Sequence, residues 1–147
     1  MPIRYNISSE LNIVIYVCRG DFTAVDLFKA SDLAFLDRRR KPGMISIYDL
    51  LFATENIELE DMYEGVQRLE RAAEPGSGVG PRVLLTRSKG IYLIIEAMKL
   101  LPSKVPIQID AYHSIEDAIT GLGLVDLRQE VIRFWQECNS YYENGEA

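Results

Sequence analysis

Apolar and polar residues alternate at the start of the chain, with Ile3, Tyr5 and Ile7 set against Arg4, Asn6 and Ser8. A period of two is that of a strand with one face covered and one wet, as at a sheet edge. After the polar turn Ser8-Ser9-Glu10, the run Ile13-Val14-Ile15-Tyr16-Val17-Cys18 is apolar throughout, as expected of a strand covered on both faces. The two segments predict a hairpin. Gly20-Asp21 then opens a helix, with Asp21 as its expected N-cap. Ala24, Leu27, Phe28, Ser31, Ala34 and Phe35 follow on one helical face, which ends at a basic run and Pro42-Gly43.

Met44 to Tyr48 is a short apolar run, read as a buried strand. Leu59, Met62, Val66, Leu69 and Ala73 recur at steps of three and four, a second amphipathic helix that stops at Pro75-Gly76. Val83-Leu84-Leu85 reads as another buried strand. Ile91, Ile94, Ile95, Met98 and Leu101 line one side of a third helix whose other side carries Leu93, Ala97 and Leu100. A helix apolar on nearly all sides must be covered, here by the C-terminal tail or by a second copy of the chain. Val105, Ile107, Ile109 and Ala111 alternate with polar residues in a last strand, placed at an edge by Pro106. Ser114-Ile115-Glu116-Asp117 starts a short helix closed by Gly123, and Asp126 is the expected cap of a long final helix with Leu127, Val131, Phe134, Cys138 and Tyr141 on one stripe and Trp135 beside it. After the hairpin, alternating strand and helix require crossovers and a mainly parallel sheet of about five strands covered by helices. The expected organisation is one α/β domain over residues 1–124, with a helical extension over 125–147 packed on it.

A chain of 147 residues with 48% hydrophobic and 26% charged residues is large enough to bury an ordinary core. Its net charge of −6 lacks the basic footprint that holds nucleic acid, so no nucleic-acid partner is expected. The one dense basic run, Arg38-Arg39-Arg40-Lys41, falls where a helix should end and where cations complement the helix dipole. The N-terminus carries no charged-then-apolar leader, and no apolar run approaches the ~18 residues a membrane span needs. With Cys18 and Cys138 far apart and in apolar settings, the chain reads as a cytoplasmic protein with reduced thiols, one disulfide between them being the alternative.

The stretch Glu74-Pro75-Gly76-Ser77-Gly78-Val79-Gly80-Pro81-Arg82 resembles a phosphate-cradling loop in composition, but it leaves a helix and enters a strand. Phosphate loops do the reverse, and this one has neither lysine nor the following hydroxyl of a Walker-type loop. It reads as a connector whose glycines permit positive φ. Ligands of open parallel sheets lie outside the carboxyl ends of the strands. Those ends hold Arg19-Gly20-Asp21, Asp49 with the following loop to Glu55, Thr86-Arg87-Ser88-Lys89-Gly90, and Tyr112-His113-Ser114. Ser88 at a helix start, with Arg87 and Lys89 beside it, would attract an anionic group; the plainer reading is a serine cap flanked by two solvated cations. His113 is the one histidine, without a second histidine or cysteine at metal-ligand spacing, so no metal or other cofactor is expected. It is also the only base for a nucleophile, and no nucleophile-elbow signature accompanies it, so catalysis by His113 with Asp49 or Ser88 ranks last.

The order of elements, the segment GDFTAVDLFKASD at the first helix, the strand ISIYDL and the ending IDAYHSIEDAITGLGL resemble the STAS-like domains, in particular the stage II sporulation protein AA-like (SpoIIAA-like) branch, over about residues 3–124. That resemblance implies a mixed, mainly parallel α/β sheet and a non-catalytic protein-interaction or regulatory module. Antagonist members of the family carry Asp-Ser-Ser/Thr-Gly after the third strand, and phosphorylation of its serine expels the partner by added charge. Here Asp49 is available to match, but Leu50 and Leu51 replace the serine, no glycine follows, and Thr54 is out of register. The phosphoswitch does not carry over. What the resemblance leaves is a binding scaffold: its occupant is a protein partner or a second copy in a homodimer, or else a small apolar, lipid-like or anionic ligand between helices and sheet. The candidate ligand or partner surface is Asp21, Asp49, Thr54, Arg87, Ser88, Lys89 and His113.

Overall fold

A computed structural model of the chain describes residues 2–72, 80–101 and 108–143. The elements run β1 (Ile3–Ser8), β2 (Ile13–Thr23), α1 (Ala24–Phe35), β3 (Ile45–Asn56), α2 (Leu59–Ala72), β4 (Arg82–Leu85), α3 (Lys89–Leu100), β5 (Ile109–Tyr112) and α4 (Ile115–Gly121). A 3-10 turn at Val125–Leu127 then leads into α5 (Arg128–Glu143). Among the described residues the strands form one sheet in the order β1-β2-β3-β4-β5, with β1 antiparallel to β2 and the other neighbours parallel. No helix among them is long and apolar enough to cross a membrane.

The hairpin follows the predicted alternation. Ile3 pairs with Cys18, Tyr5 with Tyr16 and Ile7 with Val14, which puts all six side chains on one face. Asn12, at φ 61°, makes the turn. α1, α2 and α3 pack on that face through Ala30, Ala34, Val66, Ile91, Ile95 and Met98. α4 and α5 pack on the opposite face through Ile115, Ala118, Ile119, Val131, Phe134 and Cys138, over Ile13, Ile15, Ile47, Val83 and Leu85. The strands between the two layers are covered on both sides, which is why their sequences are apolar without interruption.

Several expectations are corrected. β2 runs on to Thr23, so Asp21 sits in a strand; the cap of α1 is Thr23, in a reciprocal box where Asp26 Oδ2 accepts from Thr23 N at 2.9 Å. The segment after Asp49 is not a loop, because β3 continues to Asn56. Its pairing with β2 steps from Val17–Asp49 to Arg19–Phe52, so β3 holds one extra residue, a bulge that hides the alternation of Leu50-Leu51-Phe52. Asp126 lies within the 3-10 turn and does not cap α5 directly. The C-terminal helix does not cover α3, since the two lie on opposite faces of the sheet; Leu93 and Leu100 of α3 are 71% and 86% exposed. Phe35 is exposed, and Ala30 takes its place in the core face of α1. Cys18 and Cys138 are both free and buried, in different layers. The first part of the last predicted strand, residues 105–107, and most of the glycine stretch, residues 74–79, lie outside the described residues.

Gly80 is within them and does not have positive φ. It is needed for another reason: a Cβ there would collide with the carbonyl oxygens of Gly43 and Met44. The chain is thus threaded against the entry to β3. Next to it Ser46 N donates to Pro81 O at 2.9 Å and Arg82 N donates to Gln108 O at 2.8 Å, which fixes where Arg82 enters the sheet.

Candidate functional site

The seven residues singled out from sequence do not converge. Asp21 and Thr54 are register partners on the ribbon that β2 and β3 extend beyond the other strands, and both are exposed. Ser88 caps α3, accepting from Ile91 N at 3.2 Å, as expected. Its hydroxyl also donates to Glu55 Oε1 at 2.5 Å, so the carboxylate at this helix start comes from β3 of the same chain. Arg87 lies 5.9 Å from the Phe52 ring centre, opposite Arg19 at 5.0 Å, and Lys89 is exposed. His113 is exposed and rests on Tyr92, ring centres 4.8 Å apart. Among the described residues no hydrogen bond joins His113 to Asp49 or Ser88.

Asp49 is 1% exposed. Three donors meet its carboxylate: Leu51 N at 3.1 Å on Oδ1, and Trp135 Nε1 at 2.7 Å and Asn139 Nδ2 at 3.2 Å on Oδ2. Asn139 in turn accepts from Arg19 at 2.7 Å. A buried carboxylate with its lone pairs occupied is a structural fastener. It ties α5 to the carboxyl end of β3.

The cavity lies on the other face, away from all seven residues. Between α1, α2, α3 and the sheet is a space of about 540 Å³, within the ~300–1,000 Å³ of ordinary ligand pockets. It exists because the deepest positions of α1 are alanines, Ala24, Ala30 and Ala34, which hold the helix near the sheet without filling the gap. Leu27 and Phe28, one turn apart from them, line the space instead of closing it. Ile91, Ile95 and Met98 of α3 and Leu84 of β4 complete an apolar wall, and Gly65 leaves room on α2.

One end of the cavity is polar. Tyr48 stacks on Tyr16, ring centres 4.3 Å apart and planes 5° from parallel, and its hydroxyl points to Ser31 Oγ at 2.8 Å. Arg82, in register with Ser46 of β3 and Ile109 of β5, sends Nη1 to the same Tyr48 hydroxyl at 3.1 Å. Burial pushes the Tyr16 phenol far above its usual range. The carboxylates at the rim are occupied: Asp32 by Arg68 at 3.0 Å and Asp61 by the backbone of Glu58 at 2.8 Å. Neither Arg82, Tyr48 nor Ser31 stood out as a binding residue in the sequence. The available signal was Arg82 itself, a cation two positions before Leu84 on the face that β4 turns inward.

No family model matches the chain, and no curated protein matches it in sequence. Among solved structures it is similar to an uncharacterised protein of the DUF3478 family with a SpoIIAA-like fold from Shewanella loihica PV-4, at 12% identity and a TM-score of 0.52, over 82% of this chain and 91% of that one. The anti-sigma factor antagonist SpoIIAA in its unphosphorylated form matches at 12% identity and a TM-score of 0.48, over 82% and 96%. The first of these, together with the sheet order above, shows that the chain has a SpoIIAA-like α/β fold with an additional C-terminal helix.

Proposed function

We propose that the chain is a non-catalytic binding module whose ligand is a small molecule with a largely apolar body, held between α1–α3 and the sheet. The observation that carries this reading is the cavity of about 540 Å³, walled by Leu27, Phe28, Ile91, Ile95 and Met98. A recess of this volume, apolar along three helices and the sheet, has the size and lining of an ordinary ligand pocket. The non-catalytic part is supported by the engagement of Asp49 and Ser88 in structural hydrogen bonds and by the packing of His113 on Tyr92 rather than beside either of them. Native mass spectrometry of freshly purified protein tests the reading. A bound small molecule, or uptake of an added apolar probe such as decanol with a rise in melting temperature, is the expected result. Protein that carries nothing and takes up no probe contradicts it.

A second reading is a regulatory, protein-interaction module of the cytoplasm, acting on a partner or as a homodimer. It is supported by the SpoIIAA-like fold and by Leu93 and Leu100, two turns apart on α3 and far more exposed than leucines usually are. Light scattering of the wild type and of a Leu93→Glu, Leu100→Glu variant separates the two: a dimer that the double substitution dissolves supports this second role, and a monomer at all concentrations removes the homodimer.

A further inference from the structure

Resting on the reading that the cavity holds an apolar ligand, we propose that this ligand ends in a single carboxylate and that Arg82 receives it, with Tyr48 and Ser31 as hydroxyl partners.

Arg82 is half-buried and lines the cavity, and its Nε is fully buried with no hydrogen-bond partner among the described residues. Among the described residues the one hydrogen bond of its side chain goes to the Tyr48 hydroxyl, and no carboxylate pairs with it. An uncompensated guanidinium in an apolar wall is costly, whereas the same group with a carboxylate in its fork makes two charge-assisted bonds. The other arginines that line this space have partners: Arg68 has Asp32 and the ring of Phe28, and Arg71 reaches Gln67 O at 3.4 Å. Among the described residues that line the cavity, Arg82 is the one whose buried guanidinium nitrogen has no hydrogen-bond partner.

The surroundings repeat the sign. Arg40 stands near enough that its guanidinium is pulled below its ordinary value, by burial first and by the charge of Arg82 second. Two cations repelling one another across a partly dry site are both relieved by one anion. Tyr48 bridges Arg82 to Ser31. When Tyr48 accepts from Arg82 and donates to Ser31, the serine O–H is left to turn into the cavity that both line. One guanidinium and one hydroxyl match the two oxygens of a carboxylate. Arg40 is not among the residues that line the cavity, so a dianionic head would set its second negative charge against Arg82 alone at this end.

The apolar wall sets the rest of the molecule. Leu27, Ile91, Ile95 and Met98 offer no hydrogen bonds, so the body is a chain or ring system without polar groups along it. The class is a medium-length amphipathic carboxylic acid.

The test is isothermal titration of the full chain with decanoate, decanol and decylammonium near neutral pH, repeated with Arg82→Gln and Arg82→Lys. In the wild type decanoate should bind about tenfold to a hundredfold more tightly than decanol, the range of a charge-assisted pair, and decylammonium more weakly than decanol. Arg82→Gln should remove the advantage of decanoate over decanol, and a cooperative thermal unfolding transition shows that the variant folds. Arg82→Lys should keep part of the advantage, since it keeps the charge and loses the fork. Equal affinity for decanoate and decanol in the wild type overturns the carboxylate assignment and leaves the cavity reading standing. An advantage that survives Arg82→Gln overturns the role of Arg82. If none of the three probes binds, the cavity reading falls and the assignment with it.

Discussion

Asp49 and Arg82 are both charged, both held by strands of the same sheet, and treated in opposite ways by the two layers that cover it. Asp49 faces α4 and α5, is 1% exposed, and has backbone, indole and amide donors on its oxygens. Arg82 faces α1, α2 and α3, and its buried Nε has none. The packing around them differs in the same sense. Ala118, Ile119 and Val131 fill the Asp49 face to the exclusion of water, whereas the alanines of α1 leave a cavity in front of Arg82. A buried charge with every partner in place belongs to the architecture. One that faces a cavity is open to the incoming group proposed above.

The largest effect that sharpens this contrast is on stability. Asp49→Ala removes the acceptor of three hydrogen bonds, from Leu51 N, Trp135 Nε1 and Asn139 Nδ2, and should cost about 3–5 kcal/mol in urea unfolding. Arg82→Met, which replaces an unmatched charge by an apolar side chain of similar reach, should cost nothing measurable or stabilise the apo protein. Comparable losses at both positions would erase the distinction.

Next come the two apolar layers. Ile119→Ala, at a site 1% exposed, should cost about 2–4 kcal/mol, because the closed face cannot collapse onto the space it leaves. Leu27→Ala enlarges a space that is already open and removes a half-buried side chain; about 1 kcal/mol is expected from the lost transfer term alone. Equal costs in chemical denaturation would mean that the cavity face is as well packed as the other.

The thiols give the smallest effect. Burial, helped by the charges of Glu137 and Asp49, pushes Cys138 up to about 12. In the unfolded chain the same thiol ionises near 9, so above that pH the unfolded state sheds a proton that the native state keeps. Its contribution is therefore intact at neutral pH and is lost as the pH rises from about 9 towards 12. The unfolding midpoint should fall over that window, and less steeply in Cys138→Ala. An identical slope in the variant would contradict the assignment.

The hairpin, the apolar middle strands and the caps at Ser88 and Ser114 were legible in the sequence because each rests on a local rule of alternation or hydrogen bonding. The errors are non-local. Thr23 rather than Asp21 caps α1 because strand pairing carries β2 five residues past Cys18. Leu50-Leu51-Phe52 read as a loop because a bulge breaks the period of two, and only the partner strand reveals it. The stripe on α5 named the buried residues Val131, Phe134 and Cys138 correctly, while its end members Leu127 and Tyr141 are exposed, and an amphipathic stripe carries no information about which face of a sheet it meets. The candidate site suffered most. Sequence reasoning looked at strand carboxyl ends, whereas Arg82 starts its strand, at the opposite end, held there by the close approach of Gly80 to Gly43 and Met44.

The measurement that bears most directly on the account is a nuclear magnetic resonance titration of isotope-labelled protein with decanol, a probe that ignores the carboxylate question. The account predicts saturable shifts in the methyl groups of Leu27, Ile91 and Ile95 and none in those of Ile119 and Val131, since the cavity opens on one face only. Shifts spread over both faces, or none at any concentration short of unfolding, would contradict it.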